Sequence, residues 1–275
     1  LKKTVKWVLV AFAVLALAMV AAGCGGQKEA GKETPKENST ENQKYVFGSD
    51  TAYAPFESMD NTTGKLVGFD VDLIDAINET ANISIEIKGM NFDGLIPALE
   101  TGSIDGAISA MTITDKRKES VNFSVPYYLS GQSVAVRMDN EAVKGFDDLK
   151  GKKLGVQIAT TGADEARKVP DAVVTDYNTI NEAFLALKTG AVEAVVNDYP
   201  VSAYYIKQNP DAAKIVGDLR TSEHYGIAFP KKNTELLEKV NAALNTLKEN
   251  GKYAEIYKKW FGQDPPAYLP GEPTS

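Results

Sequence analysis

Side chains able to do covalent or metal chemistry are scarce in this chain. It has one cysteine, Cys24, and one histidine, His224, among 275 residues. That rules out an internal disulfide and argues against a transition-metal site built on Cys or His ligands. No G-x-S-x-G elbow, G-x-G-x-x-G turn or Walker loop occurs. His224, with no Cys partner and beside an expected strand, points to a hinge or core role. What remains is the chemistry of charge pairing. The run "TDKRKE" carries Arg117, and the segment "VVNDYP" carries Asp198. On pattern alone Arg117 reads as a surface charge and Asp198 as a helix N-cap ahead of Tyr199 and Pro200.

The elements that would position these residues repeat. "ALETGSIDGAISA" begins at Ala98, and "ALKTGAVEAVVND" begins 88 positions later at Ala186. Ala98/Ala186, Leu99/Leu187, Thr101/Thr189 and Gly102/Gly190 are identical. Each copy reads as a helix end, a glycine cap and a strand. Strand and helix alternate over residues 45–262: "YVFGSD" as a strand, "DVDLIDAINETA" as a helix with Leu73, Ile77 and Ala81 inward, "SIEIKG" as a strand. Leu237, Val240, Leu244 and Leu247 make one late apolar stripe, and Tyr253, Ile256, Tyr257 and Trp260 make another. Repeated β–α–β segments predict an α/β chain with largely parallel pairing and ligands at the carboxyl ends of strands. Two copies predict two lobes, with residues 109–112 facing Asn197 and Asp198 across a gap.

Composition sets the partner class. The chain is 43% hydrophobic and 24% charged, as expected for one or two globular domains. Its net charge is −7, and the three lysines in the first 23 residues leave 27 basic against 37 acidic residues in the rest. An acidic body without a basic cluster argues against nucleic acid as partner. Lys2, Lys3 and Lys6, the apolar run 7–20 and small residues before Cys24 match a secretory signal peptide over 1–23. That run is shorter than the about 20 residues of a membrane-spanning helix. "AAGC" resembles the bacterial lipobox, although Ala21 stands where that motif more often has Leu. The expectation is an extracytoplasmic protein anchored to the cell membrane by lipidated Cys24. Residues 24–44 then form a flexible tether with no core-forming side chain, reaching about 25 Å on average. The Pro-rich tail 263–275 is expected to be extended or disordered.

"GSDTAYAPFE", "GFDVDLIDAI", "FDGLIPALETG", "ISAMTITDKRKESVNFSVPYY", "LGVQIATTGADEA", "VVNDYP" and "YGIAFPK" occur in order. Together they resemble the bacterial extracellular solute-binding proteins, family 3, of polar amino acid ABC importers. Glutamine-binding and arginine/lysine-binding lipoproteins are the similar branches. The resemblance implies a two-lobe, periplasmic-binding-protein-like fold with mixed sheets flanked by helices. Two crossover hinge strands would lie near 130–132 and 225–228. Lobe 1 would take 45–130 and 229–262, and lobe 2 would take 131–228.

The resemblance also implies roles. Arg117 matches the arginine that holds the ligand's α-carboxylate, with the backbone N–H groups of Thr112 and Thr161. Asp198 matches the aspartate that holds the α-ammonium, helped by the Ala110 carbonyl and the Thr112 hydroxyl. Tyr53 and Phe92 match aromatic walls, and Asp50 an acidic residue reading the distal group. Gln157 departs from a position where a glutamine binder carries Lys. A free L-amino acid, glutamine slightly ahead of arginine or lysine, is the expected ligand. The transmembrane subunits of an ABC permease are the expected partner of a monomer that needs no metal or cofactor. An enzyme is not expected, although dehydratases built around carboxylates share this fold, and a ligand-sensing module is a further alternative.

Overall fold

The computed structural model describes residues 43–273. The signal peptide, Cys24 and nearly all of the tether expected from sequence lie outside them. Each half of the chain builds a sheet by the same route. β1 (Lys44–Ser49) leads through a small antiparallel flap, β2 (Ala52–Tyr53), β3 (Glu57–Met59) and β4 (Leu66–Val67), into α1 (Phe69–Ala81). Then come β5 (Ser84–Gly89), α2 (Leu95–Thr101) and β6 (Gly106–Ala107), and β1 pairs in parallel with both β5 and β6. After α3 (Asp115–Ser120) and β7 (Val121–Phe123), the chain crosses over through β8 (Tyr128–Ser130) into β9 (Gln132–Arg137).

The second half repeats the pattern with β10 (Lys153–Gln157), α4 (Thr161–Arg167), β11 (Val173–Tyr177), α5 (Ile180–Thr189) and β12 (Ala194–Asp198). Here β10 pairs in parallel with β11 and β12. α6 (Tyr199–Gln208) and β13 (Ala213–Val216) complete that half. β14 (Glu223–Tyr225) returns antiparallel to β8, and β15 (Ala228–Pro230) enters the first sheet between β6 and β7. α7 (Thr234–Glu249) and α8 (Lys252–Phe261) pack on α1. The sheet orders are β5-β1-β6-β15-β7 and β11-β10-β12-β9-β13, each three parallel strands followed by two in an antiparallel arrangement.

The sequence echo is the third-strand unit of each sheet. β6 pairs Gly106 with Phe47, and β12 pairs Ala194 with Leu154, at the same offset of 88 residues. Both preceding helices stop in the same way. Gly102 and Gly190 lie in the left-handed region (φ 71° and 80°). The N–H groups of Gly102 and Ser103 return to the carbonyls of Leu99 and Ala98, and those of Gly190 and Ala191 to Leu187 and Ala186. This double return satisfies carbonyls that a helix end leaves open, and a residue without Cβ adopts it most cheaply. α5 begins on a capping box between Thr179 and Glu182, and buries Ile180, Ala183, Phe184 and Leu187 on one face.

The crossovers are held on an aromatic core. Tyr128 of β8 and Tyr225 of β14 stack at 5.5 Å, and Phe56, Phe69, Tyr257 and Phe261 close around them. Two expectations need correction. In α7 the residue fully in the core is Leu236, while Leu237 is only partly buried, because the helix starts at Thr234 and its inward face runs through Leu236, Val240, Ala243, Leu244 and Leu247. The tail is not extended or disordered over its described residues. Leu269 is buried, Tyr268 packs against the core, and Gly271 N–H donates to the Pro126 carbonyl at 2.9 Å. Composition pointed to disorder, but one buried Leu and one anchored Tyr suffice to dock the tail. Among the described residues no helix is long and apolar enough to cross a membrane.

Gly102→Ala tests the repeated cap. A Cβ there meets nothing closer than Lys232 Nζ at 3.8 Å, so its cost is conformational. Calorimetry should show a loss of about 1 kcal/mol, or about 2–4 °C in Tm, and Gly102→Asn should recover part of it.

Candidate functional site

Strand ends from both sheets converge between the lobes. The first half contributes Asp50 just after β1, Tyr53 on β2, Phe92 in a single 3-10 turn, Ser109, Ala110 and Thr112 after β6, and Arg117 on α3. The second half contributes Gln157 at the end of β10, Thr160 and Thr161 opening α4, and Asp198 at the end of β12. Eight of the nine residues expected from sequence line one chamber, joined by Ser109 and Thr160. The ninth, Asp50, lies behind that lining, where its Oδ2 accepts from Gln157 Nε2 at 2.6 Å.

Side chains fill the chamber and leave about 10 Å³ of free space, roughly the smallest volume that admits a water. Tyr53 OH donates across the gap to Asp198 Oδ2 at 2.5 Å and reaches Asn197 Oδ1 at 2.9 Å. Arg117 Nη1 donates to the Thr112 carbonyl at 2.7 Å, and Nη2 donates across the gap to the Ala159 carbonyl at 3.0 Å. Its guanidinium sits 5.3 Å from the centre of the Phe92 ring, a cation–π distance. Arg117, placed by pattern alone on the surface, is nine-tenths buried. The hydrogen-bond partners of Arg117, Asp50 and Asp198 are all neutral groups.

Backbone geometry adds to the site. Ala110 (φ 45°) and Ala159 (φ 63°) both lie in the left-handed region, where a residue with Cβ pays about 1–2 kcal/mol. One is a chamber wall and the other carries the carbonyl that receives Arg117. Such strain clusters where structure is held for a purpose.

Gln132 and Glu223 were not expected from sequence. Glu223 Oε2 accepts from Thr112 Oγ1 at 2.8 Å, Thr161 Oγ1 at 2.7 Å and Gln132 Nε2 at 3.2 Å, and its Oε1 accepts from Thr221 Oγ1 at 2.6 Å. One crossover carboxylate thus gathers a hydroxyl from each lobe. Gln132 Nε2 also donates to Asp198 Oδ1. The available signal was an acid in the otherwise buried segment "EHYGIAF", next to the histidine that drew attention instead. His224 lies on β14, half-buried, with its Nε2 2.8 Å from Tyr268 OH. A wider groove of about 810 Å³ shares Thr112 and Thr161 with the chamber, but charges of both signs, such as Lys118, Lys168, Asp164 and Glu165, rim it. No cluster of three or more His, Cys, Asp or Glu side chains able to hold a metal occurs among the described residues.

This convergence of charged groups between two α/β lobes can be set beside known proteins. The family model "Bacterial extracellular solute-binding proteins, family 3" matches residues 45–263. The chain belongs to this family. A probable histidine-binding protein of Neisseria gonorrhoeae is 37% identical, over 94% of this chain and 96% of its own length. The ABC transporter glutamine-binding protein GlnH of Bacillus subtilis is 34% identical, over 92% and 95%. The arginine-, lysine-, histidine-binding protein ArtJ from Geobacillus stearothermophilus is 43% identical, with a TM-score of 0.77, over 81% of this chain and 97% of ArtJ. As a member of this family the protein is a solute-binding protein and not an enzyme.

Burial, and after it the Glu223 charge, push Asp198 up to about 7, against hydrogen bonds from Tyr53 and Gln132. A folded pKa raised above the unfolded value makes the protein more stable at low pH and less stable as pH rises through 7. Asp198→Asn should flatten that slope in Tm measured between pH 5.5 and 8.5. In the unchanged protein, affinity for a cationic group should fall as pH drops below 7, by up to about tenfold per unit, because the cation competes with the proton.

Proposed function

We propose that this protein is an extracytoplasmic receptor, anchored through lipidated Cys24, that binds a cationic amino acid between its lobes and delivers it to an ABC permease. The anchor rests on "AAGC" and on the solitary cysteine. The observation that carries the ligand class is the Asp50 contact. Its carboxylate meets the amide of Gln157 and the Ala52 N–H, and burial raises its pKa while these hydrogen bonds lower it. Among the described residues no basic side chain neutralises it.

The charge balance extends this. Asp50, Asp198 and Glu223 stand against Arg117 alone, so the buried groups carry an excess of negative charge. An amino acid with an ammonium, a carboxylate and a cationic side chain brings the opposite excess. Arg117 takes the carboxylate as a planar two-pronged donor, Asp198 takes the ammonium, and Asp50 takes the distal cation. An ion pair at 4 Å is worth about 4 kcal/mol at an effective dielectric of about 20, enough to outweigh the shape likeness of glutamine. This reverses the order expected from sequence, with arginine now ahead. The likeness to ArtJ, an arginine-, lysine-, histidine-binding protein, supports the reading, while that to GlnH, a glutamine-binding protein, keeps glutamine as the competitor. Ligand bridging the two lobes favours their closed arrangement about the crossovers.

Thermal shift on the full chain, unfolded and refolded to remove carried ligand, tests the assignment. Arginine at about a thousand times its Kd should stabilise by roughly 4 kcal/mol, or about 8–16 °C in Tm. A shift with glutamine alone would overturn the cationic reading. Arg117→Ala should abolish binding of every amino acid, and affinity retained within about threefold would remove the carboxylate role. Asp50→Asn should cost arginine about 30-fold or more and glutamine less than about threefold in calorimetric titration. Equal losses would mean that Asp50 does not read the distal group.

A further inference from the structure

Behind the chamber lie two carboxyl groups that no ligand role uses. Glu57 on β3 and Asp70 on α1 are both fully buried. Glu57 Oε1 accepts from Ser109 Oγ at 2.6 Å, and that hydroxyl accepts the Asp50 N–H at 3.0 Å. Asp70 Oδ2 accepts the Ala110 N–H at 3.0 Å and Tyr127 OH at 2.9 Å. Their other oxygens, Glu57 Oε2 and Asp70 Oδ1, are buried with no donor of their own, and the backbone brings the two residues together, the Asp70 N–H donating to the Phe56 carbonyl at 3.0 Å, so that each carboxyl acts on the other. The ionisable groups facing the pair are Asp50 after β1, Tyr53 on β2, Tyr127 before β8 and Tyr253 on α8. None is a cation. Two bare carboxylates cannot face one another in such a place, whereas one proton between them satisfies both.

We propose that Glu57 and Asp70 share one proton and, as a pair of positioning residues, hold Ser109 and Ala110 in the shape that presents this wall to the solute. The hydrogen bonds form a circuit running from Asp50 N–H through Ser109, Glu57 and Asp70 to the Ala110 N–H. The circuit joins the end of the chamber that reads the side chain to the end that meets the ammonium. It also holds Ala110 in its left-handed conformation, in place of a glycine that would adopt it freely. The two donors on Asp70, the Ala110 N–H and Tyr127 OH, favour the charge there and leave the proton on Glu57. Burial, and next the Asp70 charge, push Glu57 far above the carboxylate range, while burial raises Asp70 only to about 6.

The proposal rests on the chamber being an amino-acid site, but the proton itself can be counted without ligand. A Gln at 57 donates to Asp70 through its amide and accepts from Ser109 through its carbonyl, so E57Q keeps the circuit with no proton to lose. Unfolding calorimetry on the full chain at pH 7.5, in two buffers of different ionisation enthalpy, should show the unchanged protein releasing about one proton more than E57Q. In titrations with arginine, Glu57→Leu should lose about tenfold or more in affinity, while E57Q recovers most of that loss. As pH rises from 7 to 9.5 the affinity of the unchanged protein should fall more steeply than that of E57Q, which shares the ligand's own titration. Equal proton release, or E57Q no better than Glu57→Leu, overturns the pair. A full proton count with no amino acid bound would leave the pair standing and overturn the binding reading instead.

Discussion

Three carboxylates and one guanidinium are buried in a single cleft, and the rest of the structure is organised around keeping them there. Asp50, Asp198, Glu223 and Arg117 are each less than a tenth exposed. A buried charge without a partner costs several kcal/mol, so each must be met by donors or acceptors brought from elsewhere. Many come from the far side of the cleft. Gln157 reaches Asp50, Tyr53 reaches Asp198, Thr161 reaches Glu223 and the Ala159 carbonyl receives Arg117. The closed arrangement is therefore internally satisfied, but by neutral groups. A solute carrying opposite charges exchanges these contacts, each with a charge on one side only, for ion pairs worth about 4 kcal/mol at 4 Å and an effective dielectric of about 20. The affinity is then the difference between two well-bonded states.

The repeated sheet is what delivers these groups to one place. In a parallel three-strand unit the strand ends all point to one edge, and two such units facing each other bring two edges together. The echo at positions 98 and 186 marks the two third strands, and their ends supply residues 109–112 on one side and 197–198 on the other. The copies differ where their chemistry differs. β12 runs five residues and ends on Asp198, whereas β6 is a two-residue strand followed by an irregular stretch containing the left-handed Ala110. That irregularity is bought with the buried pair beneath it.

Elements were legible in the sequence because their signals are local. The helices α1, α5, α7 and α8 show their apolar faces within a few turns, and the Gly102 and Gly190 caps announce themselves. Chamber residues such as Arg117 were legible only through resemblance, since a basic run looks the same on a surface. What stayed hidden depends on register between distant segments. Glu223 meets Thr112 across 111 residues, Gln132 meets Glu223 across 91, and Glu57 meets Ser109 across 52. No periodicity encodes those pairings. Ala110 and Ala159 hide their backbone conformation because neither is glycine. The tail misled for a related reason, since proline content describes the unfolded preference of a segment and not the apolar surface on which it can land.

That tail braces the crossovers. Tyr268 OH meets His224 on one crossover, Gly271 N–H meets the Pro126 carbonyl just ahead of the other, and Lys248 of α7 donates to the carbonyls of Tyr268 and Pro270. With the aromatic core below them, β8 and β14 are thus fastened to the first lobe from two sides. A segment held in this way is stiff, and beyond it the crossovers continue toward the second sheet. There the crossovers touch at Gly131, whose missing Cβ would lie 2.2 Å from the Thr221 carbonyl. Gln132 N–H donates to Thr221 Oγ1 at 3.0 Å, and Arg220 N–H donates to the Gln132 carbonyl at 2.8 Å. Thr221 and Gln132 are also two of the four residues that donate to Glu223. The contact between the crossovers and the carboxylate that gathers a hydroxyl from each lobe are therefore one structure.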